Sequence, residues 1–393
     1  MTTFIEIESW AQELVQSKRL ANAEITIYRH GETHQLKRFG TMDLEGQRPL
    51  PENTIFRIYS MTKPIIAAAI MMLREEGKLD LNDPASKFIP EFENTQVVRF
   101  ENGKDVGRES AERNVTVHDL LTHTAGLTYG GPDYPPVSTG YKNAGVDFAA
   151  AYANLDEMVA NVAGCPLYYQ PGSRWIYSIA NDILGRIIEV ASEMTLDQFL
   201  QNRIFAPLGM VDTGFHVGPE KQSRFPSNFG YDQNKNLIDT SDGSNDRFLK
   251  SGTLLSGGGG LVSTSSDYMK FARMLLNKGS LDDVTILQPA SVDLMTQNQL
   301  PGDIPSMGCP EHSTMDMTGI GYGYGVAVIV DEQRASISCS NGDFGWGGVA
   351  NTYFWVDPKQ DMIVLFMSQL MPASDMPIRV KLRDLVYQSI IDA

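Results

Sequence analysis

The sequence predicts an α+β fold (an α/β sandwich): one antiparallel sheet flanked by helices, with a mostly helical lobe inserted into it. Three observations predict it. Strand-like runs gather at the two ends of the 393-residue chain. The middle is dominated by prolines, glycines and short helices. One early helix is apolar on nearly every face, which makes it a buried, central one. The two chain ends can then share a sheet. Residues 1–82 and 267–393 would form the sheet domain and residues 83–266 the helical domain, with a cleft between them.

Residues 8–19 read as an N-terminal helix, and residues 23–30 and 33–40 as a hairpin around His30-Gly31-Glu32. A short strand, 54–58, leads into the apolar helix, 61–76, and Gly77 suits the position just past its end. Pro64 clashes with the carbonyl of Ser60, so the regular helix cannot start much earlier. In the middle, helices are expected at 117–123, 147–162, 181–194 and 196–205, and residues 126–145 read as loop. The glycine run 257–260 reads as a tight crossover, not a phosphate loop, because no GK[ST] follows; a helix at 265–278 comes after it. Strands are expected at 324–330, 335–339, 352–356 and 362–367, the last two joined by DPKQD. A final amphipathic helix spans about 375–391. Ile378, Leu382, Leu385, Val386 and Ile390 keep helical spacing, and Ser374 or Asp375 can cap it.

Composition removes several functions. The chain carries 32 basic against 48 acidic residues, a formal charge of −16. That argues against nucleic acid or an anionic membrane as partner, since both are polyanions. The longest apolar run, residues 64–73, is about half of a bilayer span, so no membrane insertion is expected. MTTFIEIESW shows neither a basic n-region nor a long apolar h-region, so a cytoplasmic protein is expected. Cys165, Cys309 and Cys339 have no CxxC spacing and read as reduced thiols, neither a disulfide framework nor a zinc site. HExxH, Walker A, GxGxxG and GxSxG are absent, and the six histidines show no metal spacing, so no metal or cofactor is expected. His123, in LLTHTAG, reads as a structural histidine at a turn.

Ser60-Met61-Thr62-Lys63 is the only S-x-x-K in the chain. Serine and lysine three apart on a helix share a face. Ser60 stands at the helix N-terminus, where free N–H groups and the dipole favour developing negative charge. A lysine one turn into an all-apolar helix must be desolvated or paired, and such a lysine can activate a serine without a histidine. The plainer alternative is a capping serine with a snorkelling lysine. Tyr177, in PGSRWIYS just before the helix at 181–194, can act as general base or proton shuttle if an ammonium lies beside it. Beside Trp175 it also fits a core position. In the run 344–349 (FGWGGV), the glycines would let backbone approach a ligand closely, or simply form a hairpin turn.

Together these motifs resemble the serine β-lactamase and penicillin-binding superfamily, most closely the class C β-lactamase-like carboxylesterases of family VIII. The resemblance runs along nearly the whole chain: FRIYSMTKPI around Ser60, LLTHTAGL at 120–127, PGSRWIYS at 171–178, APLGM at 206–210, GGGGLVSTSSDYMKF at 257–271 and GWGGVANTYFWVDP at 345–358. It implies a β-lactamase/transpeptidase-like fold with Ser60 as acylated nucleophile and Lys63 and Tyr177 as its activating pair. The N–H groups of Ser60 and Val349 would form the oxyanion hole, with Trp346, Gly347 and Gly348 in the place of the lactamases' K-T-G. Two departures stand out. Ile179 occupies the third position of Y-x-N, and Trp346 replaces the K-T-G lysine. Both remove polar groups that grip an amide and a carboxylate. The literal Y-x-N at 152–154 and K-S-G at 250–252 lack the surrounding pattern and are set aside. The implied function is hydrolysis of short-chain carboxylic esters through a Ser60 acyl-enzyme, with slow β-lactam cleavage as a side activity. A small-molecule ester is the expected partner. The alternatives on the same site are a β-lactamase, a D-amino-acid amidase or peptidase, and a transacylase; outside enzymes, the alternative is a non-catalytic binding homologue.

Overall fold

The computed structural model describes residues 4–35, 37–132, 134–144, 146, 154–243, 246–252, 254–308, 316–373 and 376–391. Cys309, the Ser374 or Asp375 cap and the expected helix start at residue 147 lie outside the described residues. Among them, eight antiparallel strands form the main sheet. Read across, they are Ile320–Tyr322, Ala327–Ile329, Phe344–Gly347, Tyr353–Asp357, Met362–Met367, Asn22–Arg29 and Glu32–Gln35, with Phe39–Gly40 also on Asn22–Arg29. The chain ends meet in the centre, where Glu24 to Arg29 pair with Met367 to Met362. The fold is thus the antiparallel sheet flanked by helices that the sequence predicts.

Helices cover both faces of the sheet. Phe344, Phe354, Val356, Ile363, Leu365 and Met367 face a core shared with the Thr62–Glu75, Ala180–Ser192 and Ser265–Leu276 helices. The alternate residues Ile25, Ile27, Trp355, Val364 and Phe366 meet the Ile5–Gln16 and Ile378–Ile391 helices on the other face. Burial on both sides explains why Met362–Met367 is apolar throughout and not alternating. The all-apolar helix is Thr62–Glu75, preceded by a 3₁₀ turn, Tyr59–Met61, as Pro64 requires; Thr62 through Leu73 are all buried.

Several elements depart from the sequence reading. Of the strand expected at 324–330 only Ala327–Ile329 forms, and it pairs with a further strand before it, Ile320–Tyr322, across a turn at Gly323 to Gly325. Gly325 has φ +78°, and a Cβ there would lie 2.9 Å from Ala67 Cβ. Residues 335–339 form a bend and no strand. Phe344–Gly347 is itself a strand, paired with Tyr353–Asp357. The presumed loop 126–145 contains a helix, Pro135–Asn143, that begins at a Pro-Pro pair. The hairpin Gln96–Glu101 with Lys104–Ser110 was hidden because its second strand is exposed almost throughout and shows no apolar alternation. The helix expected at 196–205 is α-helical over Leu196–Leu200, widens to a π turn over Gln201–Phe205, and continues as Ala206–Leu208. Pro207 lacks an N–H and crowds the carbonyl four residues back, which accounts for the widened turn.

A buried charged cluster ties the C-terminal helix to the start of the Phe344–Gly347 strand. Arg383 holds Asp343 in a bidentate pair at 2.6 and 3.0 Å and donates to Tyr353 Oη at 2.8 Å. Tyr387 donates to Asp343 and Asp357. Removing one partner leaves a buried charge unpaired. Asp343→Ala is therefore expected to destabilise the protein by about 3–5 kcal/mol, read as the shift in a chemical-denaturation midpoint. A loss below about 1 kcal/mol would show that the pair is worth no more than a surface bridge.

Candidate active site

Ser60 is aimed by what precedes it. Phe56–Arg57 pairs with Val262–Ser263, in register Phe56 with Ser263. Arg57 is clamped by Asp246, Gln369 and the Pro226 carbonyl. Tyr59 then turns the chain with φ +43°, a left-handed conformation that costs a non-glycine residue about 1–2 kcal/mol. Its ring packs edge-on against Phe248 at 5.8 Å, and its hydroxyl accepts from Asn228 Nδ2 at 2.8 Å. The helix start is pinned again when Tyr268 Oη donates to Met61 O and the Leu261 N–H donates to Thr62 Oγ1.

Lys63 has no exposed surface. Its Nζ donates to Ser60 Oγ at 3.1 Å and to Gly258 O at 2.6 Å, both neutral oxygens. The ammonium lies 4.6 Å from the Tyr177 ring centroid and 5.6 Å from that of Tyr129, a placement that eases the burial of a cation. The glycine run does need close approach, as its spacing suggests: a Cβ on Gly257 would lie 2.3 Å from Asn181 O, and one on Gly258 2.6 Å from Asp182 Oδ2. The run also does more, since Gly258 supplies the carbonyl that holds Lys63. Asp182 fixes that loop by accepting from Gly258 N at 3.1 Å and Ser256 Oγ at 2.6 Å.

Tyr177 stands in an aromatic box with Tyr129, Trp346, Trp175 and His123. Trp346 Nε1 donates to Tyr177 Oη at 3.4 Å. Tyr129 is hydrogen-bonded to Tyr177; burial first, then Tyr177 and Asp182, push the Tyr129 phenol well above its ordinary value, so it keeps its proton. His123, at φ +58°, has Nδ1 3.1 Å from Ser178 Oγ and only 1% of its surface exposed. Burial, reinforced by the Lys63 charge, holds it well below the usual imidazole range. It is a neutral structural histidine that packs the box.

Phe344–Gly347 pairs with Ala327–Ile329 only through Phe344 and Gly345. Beyond them the edge from Trp346 to Val349 faces the site. Among the described residues, no backbone acceptor takes up the N–H of Ser60 or Val349. Arg379 closes the strand from behind, donating from Nη2 to Gly348 O at 2.8 Å. Its guanidinium sits where a side chain on Gly347 would be, since a Cβ there would lie 2.5 Å from Arg379 Nη2. A cavity of about 310 Å³ opens here. Ser60, Tyr177, Trp346, Gly347, Gly348 and Val349 all line it, whereas Lys63 is buried behind Ser60.

The fold thus gathers every expected site residue. It corrects one supporting inference: Ile179 is wholly buried in the main core and lines no part of the cavity, so the loss of polarity in the site rests on Trp346. The set-aside matches lie apart from it. Lys250 is exposed, Asn154 caps the Leu155–Ala163 helix, and Tyr152 and Ala153 lie outside the described residues. Gly258, Asp182, Tyr129 and Arg379 were missed. For Gly258 and Asp182 the available signal was a four-glycine run that needed something to approach. Among the described residues no helix is long and apolar enough to cross a membrane.

The depressed His123 pKa has a measurable consequence. The unfolded chain takes up a proton on this histidine below its ordinary value of 6.5, and the folded chain does not. Stability therefore rises with pH and is lost as pH falls below about 6.5. Relative to His123→Gln, the wild type is expected to lose about 1 kcal/mol between about pH 6 and pH 5, measured by denaturant titration at each pH. Parallel curves for the two proteins would place a charged imidazole in the box.

Known proteins bear on this site. The β-lactamase family model matches residues 7–388. Esterase EstB of Burkholderia gladioli is 30% identical over 394 residues, covering 95% of this chain and 93% of that protein. Monacolin J acid methylbutanoyltransferase of Aspergillus terreus is 26% identical over 343 residues, covering 83% of this chain and 79% of that one. The solved structure of EstCE1, described as a hydrolase with promiscuous acyltransferase activity, superposes with a TM-score of 0.81 at 26% identity and covers 98% of each chain. With a family match over nearly its full length and the fold to go with it, the chain belongs to the β-lactamase family of serine hydrolases.

Proposed function

We propose that this protein cleaves carboxylic esters through an acyl-enzyme on Ser60. The observation that carries the reading is the hydrogen bond from the fully buried Lys63 to Ser60 Oγ. Ser60 attacks the ester carbonyl as its proton passes into the Lys63–Tyr177 pair in its reactive state, one proton short of an ammonium plus a phenol. The N–H groups of Ser60 and Val349 take the oxyanion, and Arg379, bonded to Gly348 O, fixes the strand that presents Val349. Tyr177 returns a proton to the departing alcohol, and water then releases the acid. Lys63 and Tyr177 act as one proton-handling pair, so neither alone is assigned as the base. Trp346 holds the Tyr177 phenol with a neutral N–H, which suits an uncharged ester better than a β-lactam carboxylate. The relationship to EstB supports ester chemistry. Acyl transfer to an alcohol is a second reading of the same acyl-enzyme, favoured by the apolar lining beside Ser60 and by the transferase relative.

Ser60→Ala is expected to lower hydrolysis of p-nitrophenyl acetate by several orders of magnitude, with a stability cost of about 1 kcal/mol at most. Lys63→Ala and Tyr177→Phe are each expected to remove most activity, and the double variant to be scarcely worse than either, because the two groups act as one unit. Multiplicative losses in kcat would show separate roles.

Trp346→Lys restores a cation at the strand edge. The ratio of kcat/KM for p-nitrophenyl acetate to that for a chromogenic cephalosporin is expected to favour the ester in the wild type and to fall at least tenfold in the variant. An unchanged ratio would sink the polarity argument.

A further inference from the structure

We propose that the cavity beyond Tyr177 is the binding site for the alcohol portion of the ester, and that it selects esters of apolar alcohols. This rests on the Ser60 acyl-enzyme reading and adds which half of the substrate enters which part of the site. Two apolar clusters join there. One gathers Trp175 and Tyr322 with Tyr177, Trp346, Met317 and Ala327. The other gathers Ile320, Ile329 and Ile337 with the same Met317 and Ala327. Tyr177, Met317, Ala327, Ile329 and Ile337 all line the cavity, whose lining also includes the charged Asp343, Arg379 and Arg383.

The space exists for a backbone reason. Ala327 pairs directly with Gly345 across the two strands. A Cβ on Gly345 would lie 2.2 Å from Phe354 O, so the strand demands glycine there and leaves its face bare. A small alanine–glycine cross-strand pair thus lines the cavity. Chemistry then assigns the occupant. When the carbonyl–oxygen bond to the alcohol breaks, the departing oxygen needs a proton, and the donor must touch it. Ser60, Tyr177 and Tyr353 are the hydroxyl-bearing residues on the cavity lining; Ser60 is the nucleophile and Tyr353 Oη is held by Arg383, which leaves Tyr177 as the donor. The carbonyl oxygen lies at the other side of Ser60, with the Val349 N–H. The alcohol's carbon chain continues from Tyr177 into the apolar arm. Each methylene that leaves water there is worth roughly fourfold in kcat/KM.

The test holds the acyl group at acetyl and lengthens the alcohol from ethyl to butyl to hexyl, then holds ethanol and lengthens the acid by the same steps. The alcohol series is expected to rise at least tenfold in kcat/KM and the acid series less than threefold. Ala327→Leu, which fills the arm, is expected to bring the hexyl-to-ethyl ratio near one. Ile337→Ala, which only removes atoms, should move the optimum to a longer alcohol. Saturable quenching of tryptophan fluorescence by 1-hexanol in Ser60→Ala protein, lost when Ala327→Leu is added, reads the same pocket without turnover. A flat alcohol series, a gain confined to the acid series, or hexanol binding indifferent to Ala327→Leu each overturns the proposal. If no ester is cleaved at all, the hydrolase reading falls, and the hexanol titration still decides the pocket.

Discussion

A lysine side chain with no exposed surface needs acceptors, and Lys63 finds them in two neutral oxygens, Ser60 Oγ and Gly258 O. Desolvating an ammonium costs several kcal/mol, so much of the surrounding architecture serves to offset it. The apolar helix carries the lysine inward, and the glycine run brings a carbonyl against it. Asp182 fixes the run, while Tyr177 and Tyr129 lay aromatic faces around the charge. Loss of any of these would leave a buried cation under-solvated. The serine gains from the same arrangement, because its hydroxyl is one of the few polar atoms within the lysine's reach.

A second constraint comes from the sheet. The strand Phe344–Gly347 must present its edge to substrate while remaining locked in a layer covered on both faces. Its large residues, Phe344 and Trp346, point to the core and the site. Its small ones, Gly345 and Gly347, admit the neighbouring backbone and the Arg379 side chain. The Asp343–Arg383–Tyr387 cluster anchors the strand's start to the C-terminal helix. The glycines that make the strand possible also leave the cavity beside it.

The aromatic box gives the site its chemical bias. In the resembled lactamases a lysine stands at the strand position held here by Trp346. An indole N–H still donates to the tyrosine oxygen but brings no charge. Tyr129, a phenol that keeps its proton, adds a second neutral donor beside the first. His123 fills the far side without titrating near neutrality. Trp346, Tyr129 and His123 thus bring no charge beside Tyr177, while Asp343, Arg379 and Arg383 keep charged groups on the cavity lining.

Much of this was legible locally. The S-x-x-K spacing put Ser60 and Lys63 on one helical face, Pro64 located the helix start, and the apolar run announced that the lysine would be buried. Strand Met362–Met367 and its DPKQD turn were read correctly because a doubly covered strand is apolar at every position. The exposed Lys104–Ser110 strand and the glycine-rich Phe344–Gly347 strand were not, because neither shows the period that marks a half-buried strand. Tertiary structure alone decided the rest. Gly258 lies 195 residues from the lysine it holds, and Arg379 lies 31 from the carbonyl it braces. Ile179 was expected at the site because it holds the third position of the lactamases' Y-x-N, yet it is buried in the core. Neighbours along a helix are set by its pitch, which a sequence displays. Neighbours across a fold are set by how whole layers pack, and no local pattern encodes that.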